Sequence, residues 1–129
     1  MFIFIFYSFD HKLYSFRVDF FTASNEAALH INPRFDNRPN CIVRNTQDGG
    51  HWQQEERTGG MPFAHNAPFE MHIQVEADHF KVAVNGRHQF DYRHRVPLNQ
   101  ITRFGIDGQV DIHGVTYVGV SLIEFNFAN

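Results

Sequence analysis

The chain has 129 residues, 43% apolar and 16% aromatic, with a formal net charge of −3 and one cysteine. That length suits one domain able to bury a sizeable core, and the composition excludes a disordered chain. The charge offers no electrostatic case for nucleic acid or an anionic membrane as the main partner, and the lone Cys41 excludes an intramolecular disulfide framework.

The chain opens on Met1–Tyr7, apolar at successive residues. The run is too short to cross a membrane as a helix and lacks the basic flank and cleavage site of a signal peptide. It reads as a strand, either central and covered on both faces or an exposed edge. A reduced, cytosolic protein is the default. Next, Phe16, Val18 and Phe20 alternate with Arg17 and Asp19, the pattern of a half-buried strand. The run His30-Ile31-Asn32-Pro33-Arg34-Phe35 follows, then Cys41–Asn45, then the turn Asp48-Gly49-Gly50 and a stretch beginning at Trp52. Phe69, Met71, Ile73 and Val75 alternate with polar residues, as do Phe80, Val82 and Val84.

Two dipeptides predict hairpins because their turns need positive φ. Asn85-Gly86 separates His79–Val84 from His88–Tyr92, and Asp107-Gly108 separates Ile101–Ile106 from Gln109–His113. Val118–Phe127 is again apolar on successive residues. So many short runs predict an all-β protein, an antiparallel β-sandwich, as a single domain over residues 1–129. Fifteen phenylalanines suit the core of such a fold. No linker, low-complexity segment or internal repeat interrupts it.

The chemistry concentrates in the first half. In an extended strand, positions i, i+2 and i+4 share a face. His30, Asn32 and Arg34 therefore project together, with Leu29, Ile31 and Phe35 behind them. If His30–Arg34, Val43–Asn45 and Trp52–Arg57 are neighbouring antiparallel strands, Asn45, Trp52, Glu55 and Arg57 extend the same patch. Arg34 and Arg57 can both hold Glu55, which would lock the side chains before a ligand arrives. Free heads could bond sugar hydroxyls, and Trp52 could lie on the C–H face of a pyranose. Arg44 falls between Val43 and Asn45 and should point inward, where it needs a partner or an edge.

These residues resemble a known signature. His30-x-Asn32-Pro33-Arg34, Val43-x-Asn45 and Trp52-x-x-Glu55-x-Arg57 are similar to the motif blocks of the galectins, the β-galactoside-binding lectins. Met61-Pro62-Phe63, Asp78-His79-Phe80-Lys81-Val82 and His94-Arg95-Val96-Pro97-Leu98 fit as well, so the resemblance covers about residues 15–118. It implies a galectin-like jelly roll and a non-catalytic lectin without cofactor or metal. It implies that His30, Asn32 and Arg34 reach the axial 4-hydroxyl of galactose. Asn45 and Glu55 would take the 6-hydroxyl, Trp52 would stack on the ring, and Glu55 backed by Arg57 would reach the second sugar. Donors aimed at an axial hydroxyl are left unpaired by the equatorial epimer, which is a strong source of selectivity.

The implied ligands are lactose and N-acetyllactosamine ends of glycoproteins and glycolipids. Neither nucleic acid nor membrane insertion is expected. A homodimer and one domain of a tandem protein are both open, as is leaderless export from the cytoplasm. Galectins usually begin with a longer segment that contains an edge strand, so Ser121–Phe127 is expected to replace that strand or pair with another protomer. Asn37 or Arg38 lies where some galectins carry a further contact residue.

Other readings are weaker. His72, His79, His88 and His94 scatter without metal-ligand spacing. Glu55 and Glu56 are adjacent and point to opposite faces, so they make no catalytic pair, and Cys41 has no base beside it. Arg87, Arg93, Arg95 and Arg103 read as a solvated face balanced by Asp78, Asp91 and Asp107. The rival function is a protein–protein interaction module on the same fold, with sugar binding reduced or lost.

Overall fold

The structure is a computed structural model that describes residues 2–8, 15–35, 40–64, 67–118 and 124–128. In chain order its strands are β1 (Phe2–Ser8), β2 (Phe16–Thr22), β3 (Ala27–Arg34), β4 (Cys41–Asn45), β5 (Gln47–Asp48), β6 (His51–Trp52), β7 (Phe69–Val75), β8 (His79–Val84), β9 (Arg87–Arg93), β10 (Ile101–Gly108), β11 (Gly114–Val118) and β12 (Glu124–Ala128). A 3-10 turn, Leu98–Gln100, precedes β10. The strands form two five-stranded sheets, ordered β11-β1-β7-β8-β9 and β12-β10-β2-β3-β4, plus the small ribbon β5-β6. All pairings are antiparallel except β10 with β12.

Alternation decides what each sheet buries. Phe16, Val18, Phe20, Leu29 and Ile31 are fully buried on one sheet, and Met71, Ile73, Val75, Phe80 and Val82 on the other. Aromatic rings join the two layers. Phe16 of β2 stacks on Phe69 of β7 at 5.5 Å and meets Phe63 edge-on at 5.2 Å. Phe20 lies 4.9 Å from Phe80 and 5.0 Å from Phe104. Each such fully buried ring contributes roughly 1.5–3 kcal/mol through its removal from water.

Asn85-Gly86 forms the expected hairpin between β8 and β9, with φ of 51° and 79°. The Gly49-Gly50 turn joins β5 to β6 with φ of 60° and 78°. Asp107-Gly108 does not form a hairpin. Both residues continue β10, where Asp107 pairs with Arg17 and Gly108 with Phe16 of β2. The positive φ of 114° at Gly108 meets a packing demand, since a Cβ there would sit 2.6 Å from the Ser15 carbonyl oxygen.

The two continuously apolar runs also separate. β1 is interior, hydrogen-bonded to β7 and β11. The run Val118–Phe127 is not one strand: β11 ends at Val118, and β12 begins at Glu124 in the opposite sheet. β12 takes the edge beside β10, in register from Arg103↔Glu124 to Asp107↔Ala128. Ser121 and its neighbours to residue 123 lie outside the described residues, as do Asn37 and Arg38.

Candidate functional site

β3 and β4 build the floor of the site. Their register sets His30 opposite Asn45, Asn32 opposite Val43 and Arg34 opposite Cys41. Ile31 is fully buried behind this row, while His30, Asn32 and Arg34 keep part of their surface outside. Each of the three is already bonded. His30 Nδ1 lies 2.6 Å from Asp19 Oδ1. Asn32 donates Nδ2 to the Phe16 carbonyl at 2.9 Å and accepts from Arg34 Nε at 3.0 Å.

Asp19 has no place in the signature, yet it governs His30. It sits opposite His30 on β2 and is 8% exposed. A carboxylate only accepts, so Nδ1 carries the proton, and in that tautomer Nε2 is left as an acceptor. The alternation around Phe16–Phe20 carried this signal, because it set Asp19 on the outer face with Arg17.

Trp52 is 51% exposed, so it is no core residue. Its ring lies 4.9 Å from that of His30, tilted by 49°. The turn at Gly49-Gly50 returns the chain so that Trp52 pairs with Gln47. Beyond Trp52 the expected strand is not formed. Residues 53–58 run beside β4 through Gln53 N to Thr46 O at 2.9 Å and a reciprocal bridge between Arg44 and Glu56. This alternation still turns Glu55 and Glu56 to different partners. Glu55 Oε2 accepts from Arg57 at 2.6 Å, while Arg34 Nη2 lies 3.8 Å from Glu55 Oε1. The charge lattice is therefore unequal: Arg57 grips Glu55, and Arg34 is chiefly engaged with Asn32.

Asn45 differs from its companions. It is 4% exposed, and its carboxamide is largely used within the fold. Nδ2 donates to Gln53 O at 2.8 Å, and Oδ1 accepts from Thr46 N at 2.7 Å and Arg95 Nη1 at 3.3 Å. Arg95 is thus not part of a merely solvated basic face. Arg103 is engaged too, bonded to Asn25 at 2.9 Å and lying over the Phe21 ring at 4.3 Å.

Arg44 points inward as expected and is 1% exposed. Among the described residues no carboxylate meets its guanidinium. Nη1 donates to Ile42 O at 3.0 Å and Thr58 O at 2.7 Å, Nη2 to Thr58 Oγ1 at 3.1 Å, and the group lies 4.3 Å over Phe90. Burial lowers its pKa from the ordinary arginine value, with Glu56 the largest opposing influence. Below Asn45, Thr46 Oγ1 donates to Ala28 O at 2.8 Å and lies 2.6 Å from the Tyr92 hydroxyl. Burial raises the Tyr92 pKa, so the phenol holds its proton for that bond.

Direct contacts link Asn32, Arg34, Glu55 and Arg57 in one chain and His30 with Trp52 in a pair, and Asn45 lies opposite His30 on β4. A row of polar heads with a half-exposed indole beside it lines this face of the sheet. The profile of the galactoside-binding lectin family matches residues 8–117. The chain belongs to the galectin family. Human galectin-4 is 41% identical over 95 residues, which are 74% of this chain and 29% of that protein. Mouse galectin-3 is 44% identical over 94 residues, 71% of this chain and 36% of that protein. The chain thus spans about a third of the length of these curated relatives. Among solved structures, Xenopus laevis galectin-Ib superposes with a TM-score of 0.76 at 26% identity, covering 91% of this chain and 90% of that one. Caenorhabditis elegans galectin LEC-6 gives 0.77 at 25% identity, covering 92% and 81%. The fold is the galectin fold, and galectins are non-catalytic lectins.

Proposed function

We propose that the face carrying His30, Asn32, Arg34, Asn45, Trp52, Glu55 and Arg57 binds the terminal galactose of β-galactosides reversibly. The observation that carries this reading is the coupling of His30 to both Asp19 and Trp52. A ring whose Nδ1 is committed offers Nε2 to an axial 4-hydroxyl, and the adjacent indole offers a flat apolar face to the sugar C–H groups. Asn32 and Arg34 complete the grip on that hydroxyl. The second N–H of Asn45, together with Glu55, takes the 6-hydroxyl, and the Glu55–Arg57 pair meets the next sugar.

Each hydrogen bond from a charged group to a hydroxyl contributes about 1.5–3 kcal/mol before the costs of association are met. Lactose and N-acetyllactosamine ends of glycoproteins and glycolipids are the ligands that fit. Calorimetric titration with lactose, beside cellobiose as the equatorial control, tests this. Heat and saturation with lactose alone are expected; equal responses to both sugars, or none to either, would reject it.

Kinship with the galectins supports a cytoplasmic protein exported without a leader. It also supports multivalent action, by dimerisation or through a second domain in a tandem chain. In either form avidity follows from the spacing of the sites.

A further inference from the structure

The reacting surface of a sugar site is only as good as the segment that holds it. Residues 53–58 carry Glu55 and Arg57 but have a single ladder bridge, Arg44↔Glu56, to hold their register. Bonds from Arg44 to Thr58 O, from Asn45 to Gln53 O and from Gln53 N to Thr46 O hold the two ends of the segment, and its middle is held from the far sheet. Arg95 follows β9, and its side chain is 26% exposed. Its guanidinium meets three acceptors on the site side. Nη1 donates to Asn45 Oδ1 at 3.3 Å and to Gln54 O at 2.8 Å, and Nη2 pairs with Glu56 Oε2 at 2.8 Å. The same group lies 4.8 Å over the Tyr92 ring, so it is held from below as well.

We infer that Arg95 is a positioning residue for the 6-hydroxyl end of the sugar site. Pinning Asn45 Oδ1 fixes the amide plane and so aims the remaining Nδ2 proton. Pinning Gln54 O and the Glu56 carboxylate fixes the backbone on both sides of Glu55. The planar guanidinium can hold all three acceptors at once, which a lysine ammonium cannot do in one plane. Support from residues that never touch the ligand sets how well the contacting groups are aimed.

The inference rests on the assignment of Asn45 and Glu55 to the 6-hydroxyl, and the experiment separates the two. Lactose and its analogue lacking the galactose 6-hydroxyl are titrated into wild type, Arg95→Ala and Arg95→Lys, with thermal unfolding of each protein alongside. Arg95→Ala is expected to bind lactose about tenfold more weakly than wild type, the loss of roughly one well-aimed charge-assisted hydrogen bond. It should bind the 6-deoxy analogue as wild type does. Arg95→Lys keeps a charge beside Glu56, so it serves if the alanine variant fails to fold, and it should show a smaller loss on lactose only. Unchanged lactose affinity in both variants, or an equal loss on both ligands, would overturn the positioning role. If wild type itself does not distinguish the two ligands, the 6-hydroxyl assignment fails and takes this inference with it.

Discussion

Asp19 is the residue that most changes how the site is understood. His30 alone has two tautomers, and only one presents an acceptor at Nε2. The buried carboxylate 2.6 Å from Nδ1 selects that tautomer. Asp19→Asn keeps the shape but can turn a donor toward Nδ1 and so favour the opposite tautomer. Lactose affinity is expected to fall about tenfold, measured by calorimetry, while the unfolding midpoint stays close to wild type. Unchanged affinity would show that the tautomer is set by something else. Of the seven residues named from motif spacing, all gather at this face, but their burial was not legible. Asn45 is nearly enclosed because Gln53, Thr46 and Arg95 fold over it. Thr46 is its chain neighbour, but Gln53 and Arg95 come from other segments, so no local pattern around Asn45 announces them.

At the scale of elements, alternation and turn chemistry served β2, β3, β7 and β8 well. The failures are instructive. Asp107-Gly108 carries the same turn signal as Asn85-Gly86, yet β10 continues through it. Glycine is needed there for close approach to Ser15 and Phe16 rather than to reverse the chain. Gly108→Ala combines an unfavourable φ with a backbone clash. It should destabilise by at least about 1–2 kcal/mol, read from urea unfolding. Gly49→Ala, with open space around its Cβ position, should lose only the conformational part. If the two variants were equally stable, the crowding at Gly108 would carry no weight. The stretch from Trp52 to Arg57 is the other miss. Its residue types alternate correctly, but arginines reaching in from elsewhere hold it instead of a continuous ladder. Arg44 grips Thr58 and Arg95 grips Gln54 and Glu56.

At the scale of the whole molecule, the proposed site is the outer face of a sheet whose inner face is bolted to the other layer. Phe16 shows the connection, since its ring packs on Phe63 and Phe69 while its carbonyl holds Asn32. Phe16→Ala should cost about 3–5 kcal/mol, a large share of a typical domain's 5–15 kcal/mol. A loss of unfolding free energy well under that amount in denaturant titration would mean that the layers repack around the gap. The sequence by itself determined the all-β class, the polar row His30-Asn32-Arg34 and the kinship of the motif blocks, because strand periodicity and side-chain chemistry are local properties. Only the tertiary structure decided that β1 lies inside its sheet, that the apolar end of the chain divides between two sheets, and that Asp19 and Arg95 stand behind the proposed ligand face. Those are choices of partner between residues far apart in the chain, and partner choice is settled by packing, which no single segment encodes.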